Sequence, residues 1–520
     1  MCGILFSNFP DTERQAFESA LDLMYHRGPD AGSVLCIDHA KLGHRRLKIV
    51  DLDARANQPF KSSDGRYWVV FNGEIYNFKE LSARHDIRCR TSCDTEVLIE
   101  LYVRLGPKAL DEFYGMFAFV IYDTLTGDVF AARDRLGVKP LYIHENGSYV
   151  SFSSELKPLQ HLHNLTSIDE LGLRQYMKAR SFFNGRTMYR DISLFPAGHY
   201  YFNGKLTQYW SLPQTDVYDK VVTDDEIMTT LRSAVDLRCI ADVPIGSYLS
   251  GGVDSTVIAA LSSRPHTWTV GFEDNNEFDW AQLAADQFSF DHHAITIGDD
   301  EFRETAKMLV LHRGEPLSVP NEVLIYKMTK VAKEFNTVIL SGEGADELFF
   351  GYDRIFRWAM DNPWDTREFD RLYSYGKQDD CDILDDILSP VMSRTTALDR
   401  TAAFFQIHHL HGLLRRLDNS TMMCSVEART PFIDHRLVEM MYGTAASFRL
   451  EGGVAKAPLK RICRQILPDA IIDRPKVGFP VPTDRLFSGE GTGMEKWLRF
   501  NLETVLGAPW ADISDHLYQN

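Results

Sequence analysis

This sequence predicts an α+β front part followed by an α/β part built on a parallel sheet and ending in helices. Three observations lead there. Up to residue 202, short β-rich runs are cut by turn signals; beyond it, apolar strands alternate with helices; from residue 367 the pattern is helical. Short β-rich runs between turn signals mark strands, whereas strand–helix alternation marks a parallel sheet covered by helices. At 520 residues the chain exceeds one hydrophobic core, so two units, 2–202 and 203–520, are expected.

In chain order, residues 33–37, 67–71, 116–122 and 149–152 read as strands, divided by Asp64-Gly65, Asn72-Gly73 and Asn146-Gly147. Residues 12–25 and 94–105 read as helices, the second with Asp94 and Glu96 as a capped start before Val97, Leu98, Leu101 and Tyr102. The junction, 196–213, carries a hairpin turn at Asn203-Gly204. After it come strand 243–249 with helix 255–261, strand 268–272 with helix 279–288, and strand 338–340 with helix 346–350.

Composition narrows the function. A net charge of −17 argues against a nucleic-acid partner, which needs clustered Lys and Arg. No apolar run approaches the ~18 residues of a membrane span, and the first residues lack a basic, then apolar, secretory pattern. Eight scattered cysteines make no disulfide framework. A reducing cytoplasm is therefore the expected location.

Chemistry concentrates at three places. Removal of Met1 would leave Cys2 first in the chain, joining a thiol nucleophile and an α-amine base on one residue. Ser250-Gly251-Gly252-Val253-Asp254-Ser255 lies between an apolar strand and a helix. Glycines there admit an anion to the backbone N–H groups, and the helix N-terminus adds partial positive charge. A second strand–loop–helix, Val338-Ile339-Leu340-Ser341-Gly342-Glu343-Gly344-Ala345-Asp346-Glu347, ends at the same edge if the sheet is parallel. Its three carboxylates within five residues call for a cation between them.

With these loops and Cys2, the chain resembles the asparagine synthetase family of class II glutamine amidotransferases. The front part matches through Cys2-Gly3-Ile4, His26-Arg27-Gly28-Pro29-Asp30, His44-Arg45-Arg46-Leu47, Asn72-Gly73-Glu74-Ile75-Tyr76-Asn77, Asp94, Arg133-Asp134-Arg135-Leu136-Gly137 and Lys139-Pro140-Leu141-Tyr142. The rear part matches through the two loops, Val426-Glu427-Ala428-Arg429-Thr430-Pro431-Phe432, Lys456 and Arg474-Pro475-Lys476-Val477-Gly478-Phe479. The resemblance implies an N-terminal-nucleophile αββα sandwich joined to a PP-loop ATP pyrophosphatase domain. Cys2 would attack the glutamine side-chain amide, with Asn72 and the Gly73 N–H as oxyanion donors. Arg46 would bind the glutamine α-carboxylate, backbone from Leu47, Lys48, Ile49 and Val50 would line the pocket, and Glu74 and Asp94 would hold the ammonium.

In the rear, Ser250, Gly251, Gly252, Asp254 and Ser255 would grip the pyrophosphate of ATP, with Leu249, Val270, Ser341 and Gly342 around the adenosine. Asp254 and Asp346 would be the Mg²⁺ ligands, Lys456 would neutralise phosphate charge, and Glu343 would take a proton from attacking ammonia. An enclosed ammonia channel and a homodimer are also implied. The acceptor carboxylate is aspartate on family frequency. The alternative is another acid, such as a uronic acid of a surface polysaccharide or a specialised metabolite. It arises because Glu315-Pro316-Leu317-Ser318-Val319-Pro320-Asn321 stands where asparagine makers carry a Thr- and Ser-rich stretch with an arginine. The C-terminal region is also shorter than in many bacterial relatives.

Other features are expected to be bland. Cys89 and Cys93 lack a second pair at metal-ligand spacing, and His408, His409 and His411 lie in a helical segment without further zinc ligands. His292-His293, near a strand start, is expected to be structural or close to the nucleotide, and the carboxylates of 379–386 to form a solvated face.

Overall fold

The computed structural model describes residues 2–213, 219–374, 381–475 and 481–518. The front part is two six-stranded antiparallel sheets stacked face to face. The first runs Ser193–Leu194, Tyr142–Asn146, Tyr149–Ser153, Cys2–Ser7, Ala40–Arg46 and Ala31–Ile37. The second runs Lys205–Gln208, His199–Phe202, Val129–Arg133, Gly115–Asp123, Tyr67–Ile75 and Phe60–Lys61. The Cys2–Ser7 strand shows why both its faces are apolar. Ile4 and Phe6 pack with Leu42, Val70 and Val120 between the sheets. Leu5, pointing the other way, packs with Phe17, Leu21 and Met24 of the Arg14–Asp22 helix region. On the far side, Val97, Leu98 and Leu101 of the Asp94–Leu105 helix cover Phe71 and Phe119. The layers are therefore helix, sheet, sheet, helix.

The rear part holds a five-stranded parallel sheet in the order Asp291–Thr296, His266–Gly271, Ile245–Tyr248, Val338–Leu340 and Glu427–Arg429. Ile245–Tyr248 is the first of these in the chain, and its neighbours lie on opposite sides. The loops after Tyr248 and Leu340 consequently leave the same edge at the point where strand order reverses, the usual ligand crevice of such sheets. Among the described residues no helix is long and apolar enough to cross a membrane.

Five expectations change. Asn72-Gly73 is not a turn but lies inside the Tyr67–Ile75 strand, where Asn72 pairs with Ala118 and Gly73 with Phe117. The boundary at 202/203 falls in a hairpin turn, because Lys205–Gln208 pairs with His199–Phe202 and stays with the front sheet. Glu427–Arg429 is a strand inside the supposed helical tail; three residues are too few to show a period. Asp94 does not cap its helix, whose N-cap position is Cys93 with no side-chain bond. Glu96 instead turns back to accept from the backbone N–H groups of Arg90 and Thr91. Of the acidic run at 379–386, residues 379 and 380 lie outside the described residues. Asp382 and Asp385 are exposed on the Cys381–Leu388 helix, while Asp386 accepts from Gln175 Nε2 at 2.6 Å.

Candidate active sites

Cys2 begins its strand opposite Arg46 and is 7% exposed. Its backbone N–H donates to Asn72 Oδ1 at 3.0 Å, and its carbonyl accepts from Arg27 Nε at 3.1 Å. Asn72 is fully buried, and its Nδ2 has no hydrogen-bond partner among the described residues. Leaving such a donor unmade costs about 1–3 kcal/mol, so a ligand oxygen is the natural occupant of that position. Gly73 has φ of +152°, and a Cβ there would lie 2.1 Å from the Met116 carbonyl oxygen, so only glycine keeps this strand pair closed. Burial pushes the Cys2 thiol up, while the nearby backbone of Leu47 and the charge of Arg46 act the other way.

The expected ammonium pocket is a group of buried carboxyls. Asp94 Oδ2 accepts from the Ile75 N–H at 2.8 Å and Oδ1 from Cys93 Sγ at 3.3 Å. Burial, then Asp94 and Glu427, push the Glu74 carboxyl well above the usual range, and burial raises Asp94 as well. Two acids held this way gain from any cation placed between them. Arg429 of the rear sheet already lies 3.5 Å from Glu74 Oε1 and 2.5 Å from Glu427 Oε1.

Arg46 sits differently from expectation. Its Nη1 donates to Asp53 O (2.8 Å) and Asn57 Oδ1 (2.7 Å), and its Nη2 to Val50 O (3.3 Å) and Asp51 O (2.5 Å). As placed, it ties down the 50–57 loop, and the terminal donors needed for a bidentate carboxylate contact are already engaged. Leu47 and Ile49 are core residues. The Lys48 N–H donates to Asp30 Oδ2, and Ile49 O accepts from the Asp242 N–H across the junction.

The rear loops enclose a cleft of about 470 Å³. Leu249, Ser250, Gly252, Asp254 and Ser255 line it from the first loop; Ser341, Gly342, Glu343 and Asp346 line it from the second. Ser250 Oγ and Ser255 Oγ lie 3.0 Å apart, and the Gly252 N–H reaches Ser250 Oγ at 3.3 Å. Gly251, with φ of +71°, makes the bend; a Cβ there would strike the Trp280 carbonyl carbon at 2.3 Å. The Val253–Ser262 helix begins without a side-chain cap, leaving its first N–H groups facing the loop. Val270 does not line the cleft; it is a core residue, and Trp268 and Thr269 form that wall.

Lys456 Nζ lies 2.6 Å from Asp254 Oδ2 and 2.7 Å from Asp346 Oδ1. Burial opposes its charge, but the two carboxylates raise its pKa above the ordinary lysine value. The site is fitted closely around this trio: a Cβ on Gly351 would meet Asp346 Oδ1 at 1.8 Å. Carboxylate oxygens gathered in this way are of the type that could hold a hard divalent cation. Sequence reasoning missed Arg416, whose Nη2 donates to Glu343 Oε1 at 2.6 Å and whose Nη1 donates to Asn321 Oδ1 at 3.1 Å. Its only signal was the Arg415-Arg416 pair ahead of the Val426 motif. Arg474 Nη1 donates to Ser250 O at 3.1 Å; the rest of that motif, 476–479, lies outside the described residues.

An asparagine synthase family model matches residues 226–503, and a glutamine amidotransferase domain model matches residues 1–210. The chain belongs to the asparagine synthase family. Asparagine synthetase [glutamine-hydrolyzing] 1 of Bacillus subtilis is 29% identical over 96% of this chain and 89% of its own length. A putative asparagine synthetase of Mycobacterium bovis is 30% identical over 90% and 84%. A second putative one, from Methanocaldococcus jannaschii, is 32% identical over 68% and 76%. Both sites thus fall inside the matched parts of this family member.

Proposed function

We propose that this asparagine synthase family member is a glutamine-hydrolysing ligase that converts aspartate, glutamine, ATP and water to asparagine, glutamate, AMP and pyrophosphate. One observation carries the reading: a Cys2–Asn72 pair with an open buried donor is joined, in one chain, to a cleft where Lys456 bridges Asp254 and Asp346. The front unit is read as an N-terminal-nucleophile fold, ending after Gln208, and the remainder as the synthetase unit.

With Met1 removed, the nitrogen now bonded to Asn72 Oδ1 becomes the α-amine. Cys2 Sγ attacks the amide carbon of glutamine, and the developing oxyanion takes Asn72 Nδ2 and the Gly73 N–H. The C–N bond breaks, the amine returns the thiol proton to the leaving nitrogen, and water hydrolyses the thioester to glutamate. Asn72 therefore serves both partners, one through each end of its amide. Glu74 and Asp94 bind the glutamine ammonium, and Arg46 reaches the carboxylate after yielding loop contacts.

In the rear cleft the acceptor carboxylate attacks the α-phosphorus of ATP and pyrophosphate leaves, held by the Ser250–Ser255 loop and Lys456. Asp254 and Asp346 hold Mg²⁺, which when bound screens phosphate charge. Ammonia then displaces AMP from the acyl-adenylate, with Glu343 accepting the proton; Arg416 fixes that carboxylate in place. The same reading puts the enzyme in the cytoplasm, as a homodimer, with ammonia passing between the sites inside the protein.

The test is pyrophosphate release from purified protein offered aspartate, uronic acids and other carboxylates in turn. Aspartate should give AMP, pyrophosphate and asparagine. Turnover with a uronic acid alone would move the acceptor to a sugar acid, and no turnover with any acid would overturn the ligase reading.

A further inference from the structure

The histidines at the start of the outer strands lie beside Trp268, which is level with Tyr248 on one side and with His293 on the other and also lines the nucleotide cleft. In the parallel pair, His266 is level with Asp291, and Trp268 with His293. Side chains alternate along a strand, so His266, Trp268, Asp291 and His293 share one face, while His292 points to the other and meets Thr267 Oγ1 at 2.9 Å.

His266 Nδ1 is 3.0 Å from Asp291 Oδ2, and His293 Nε2 is 3.7 Å from Asp291 Oδ1. One donor atom from each residue lies within 4.8 Å of the other two. Both of these imidazole nitrogens are shielded from solvent, yet neither makes a hydrogen bond among the described residues. The rings themselves are fixed by aromatic packing: Phe335 lies 5.4 Å from His266 and 4.9 Å from His293, and Trp268 stacks on His293 at 5.8 Å. Two shielded nitrogens aimed at one carboxylate, neither in hydrogen-bond alignment with it, are the kind of deficit that an ion repairs.

We propose that His266, Asp291 and His293 form a binding site for a divalent transition ion of the zinc class. Imidazole and carboxylate suit Zn²⁺, with ligand distances of about 2.0–2.2 Å that place donors roughly 3–3.5 Å apart. Asp291 already lies 3.0 and 3.7 Å from the two nitrogens. Asp291 is 58% exposed, so water completes the coordination. The ion would staple the edge strand Asp291–Thr296 to His266–Gly271, whose ladder is joined just before it by the Asp291 N–H to Pro265 O bond. This site is separate from the Asp254–Asp346 pair and takes no part in the ligase chemistry.

The experiment uses the full chain, stripped with chelator and titrated with Co²⁺ and, separately, Zn²⁺. One equivalent of Co²⁺ should give visible d–d absorption without a thiolate charge-transfer band, and Zn²⁺ should raise Tm. In the His266→Ala/His293→Ala double variant both responses should vanish, and in Asp291→Asn Co²⁺ affinity should fall at least tenfold. Retained glutaminase activity reports that each variant is folded; if the double variant is not, Asp291→Asn alone decides. Equal binding by wild type and variants, no binding by wild type, or a thiolate band would overturn the site.

Discussion

At the scale of single residues, the front site turns on Asn72. Its Oδ1 is committed to the Cys2 nitrogen, so the oxyanion depends on Nδ2. Asn72→Ala is expected to lower glutamine turnover roughly 10²–10³-fold, the usual loss for one oxyanion donor. Amide formation from added ammonia should persist, which comparing the two nitrogen sources will check. Cys2 and the two rear loops stand out in the sequence because a thiol next to the initiator and glycine-rich strand–loop–helix stretches are local patterns. Asn72 entered only through the resemblance, its Asn-Gly pair reading as a turn where the structure has a strand. Arg46 and Asp94 were less legible, since what a buried side chain bonds depends on loops that fold over it. A second residue sets a pH response. Burial, then Asp346 and Glu343, raise the Glu347 carboxyl to about 8 from an ordinary 4.5. The folded chain therefore keeps a proton that the unfolded chain loses. Its stabilising effect is full below pH 4.5 and is lost as pH rises through 8. Glu347→Gln should remove this decline, so that urea unfolding at pH 6 and pH 9, without nucleotide, differs less than in wild type.

At the scale of elements, the Leu410–Met422 helix touches both sites. Asp418 accepts from Arg27 Nη2 at 2.9 Å and lies 3.3 Å from Lys139 Nζ, all three being buried; Arg27 also holds the Cys2 carbonyl. Two residues earlier, Arg416 holds Glu343. The helix thus connects the nucleophile's backbone with the proposed proton acceptor. Removing one partner of a buried pair typically costs about 3–5 kcal/mol, and Glu155 Oε1, 3.1 Å from Arg27 Nη1, holds the loss toward the lower end. Asp418→Asn should therefore lower stability by about 3 kcal/mol in denaturant and raise glutamate formed per asparagine. A stability loss with an unchanged product ratio would make the contact merely structural. None of this was legible in sequence: the segment reads as an amphipathic helix, and pairs such as Arg27–Asp418 join residues that only the fold brings together.

At the scale of the whole molecule, the two units were expected from the change in pattern, but their fusion was not. One apolar cluster runs from Phe71, Leu98 and Phe119 in front to Val257, Val338 and Phe432 behind. A second joins Leu5, Phe17 and Tyr142 to Trp268, Ile339 and Trp497. Across the same junction run Arg27–Asp418, Lys139–Asp418 and Glu74–Arg429, while Asp242 bonds the Ile49–Asp51 backbone. Units joined by a linker move independently unless their interface is large and apolar; here the core itself is shared. Buried pairs are also weakly screened, so added salt should not part the halves. Heating should accordingly give one cooperative calorimetric transition, with glutaminase activity and ammonia-dependent pyrophosphate release lost at the same temperature in low and high salt. Two resolved transitions, or a glutaminase that outlasts the synthetase site, would mean that each unit has a core stable by itself and that the shared clusters contribute little to holding it.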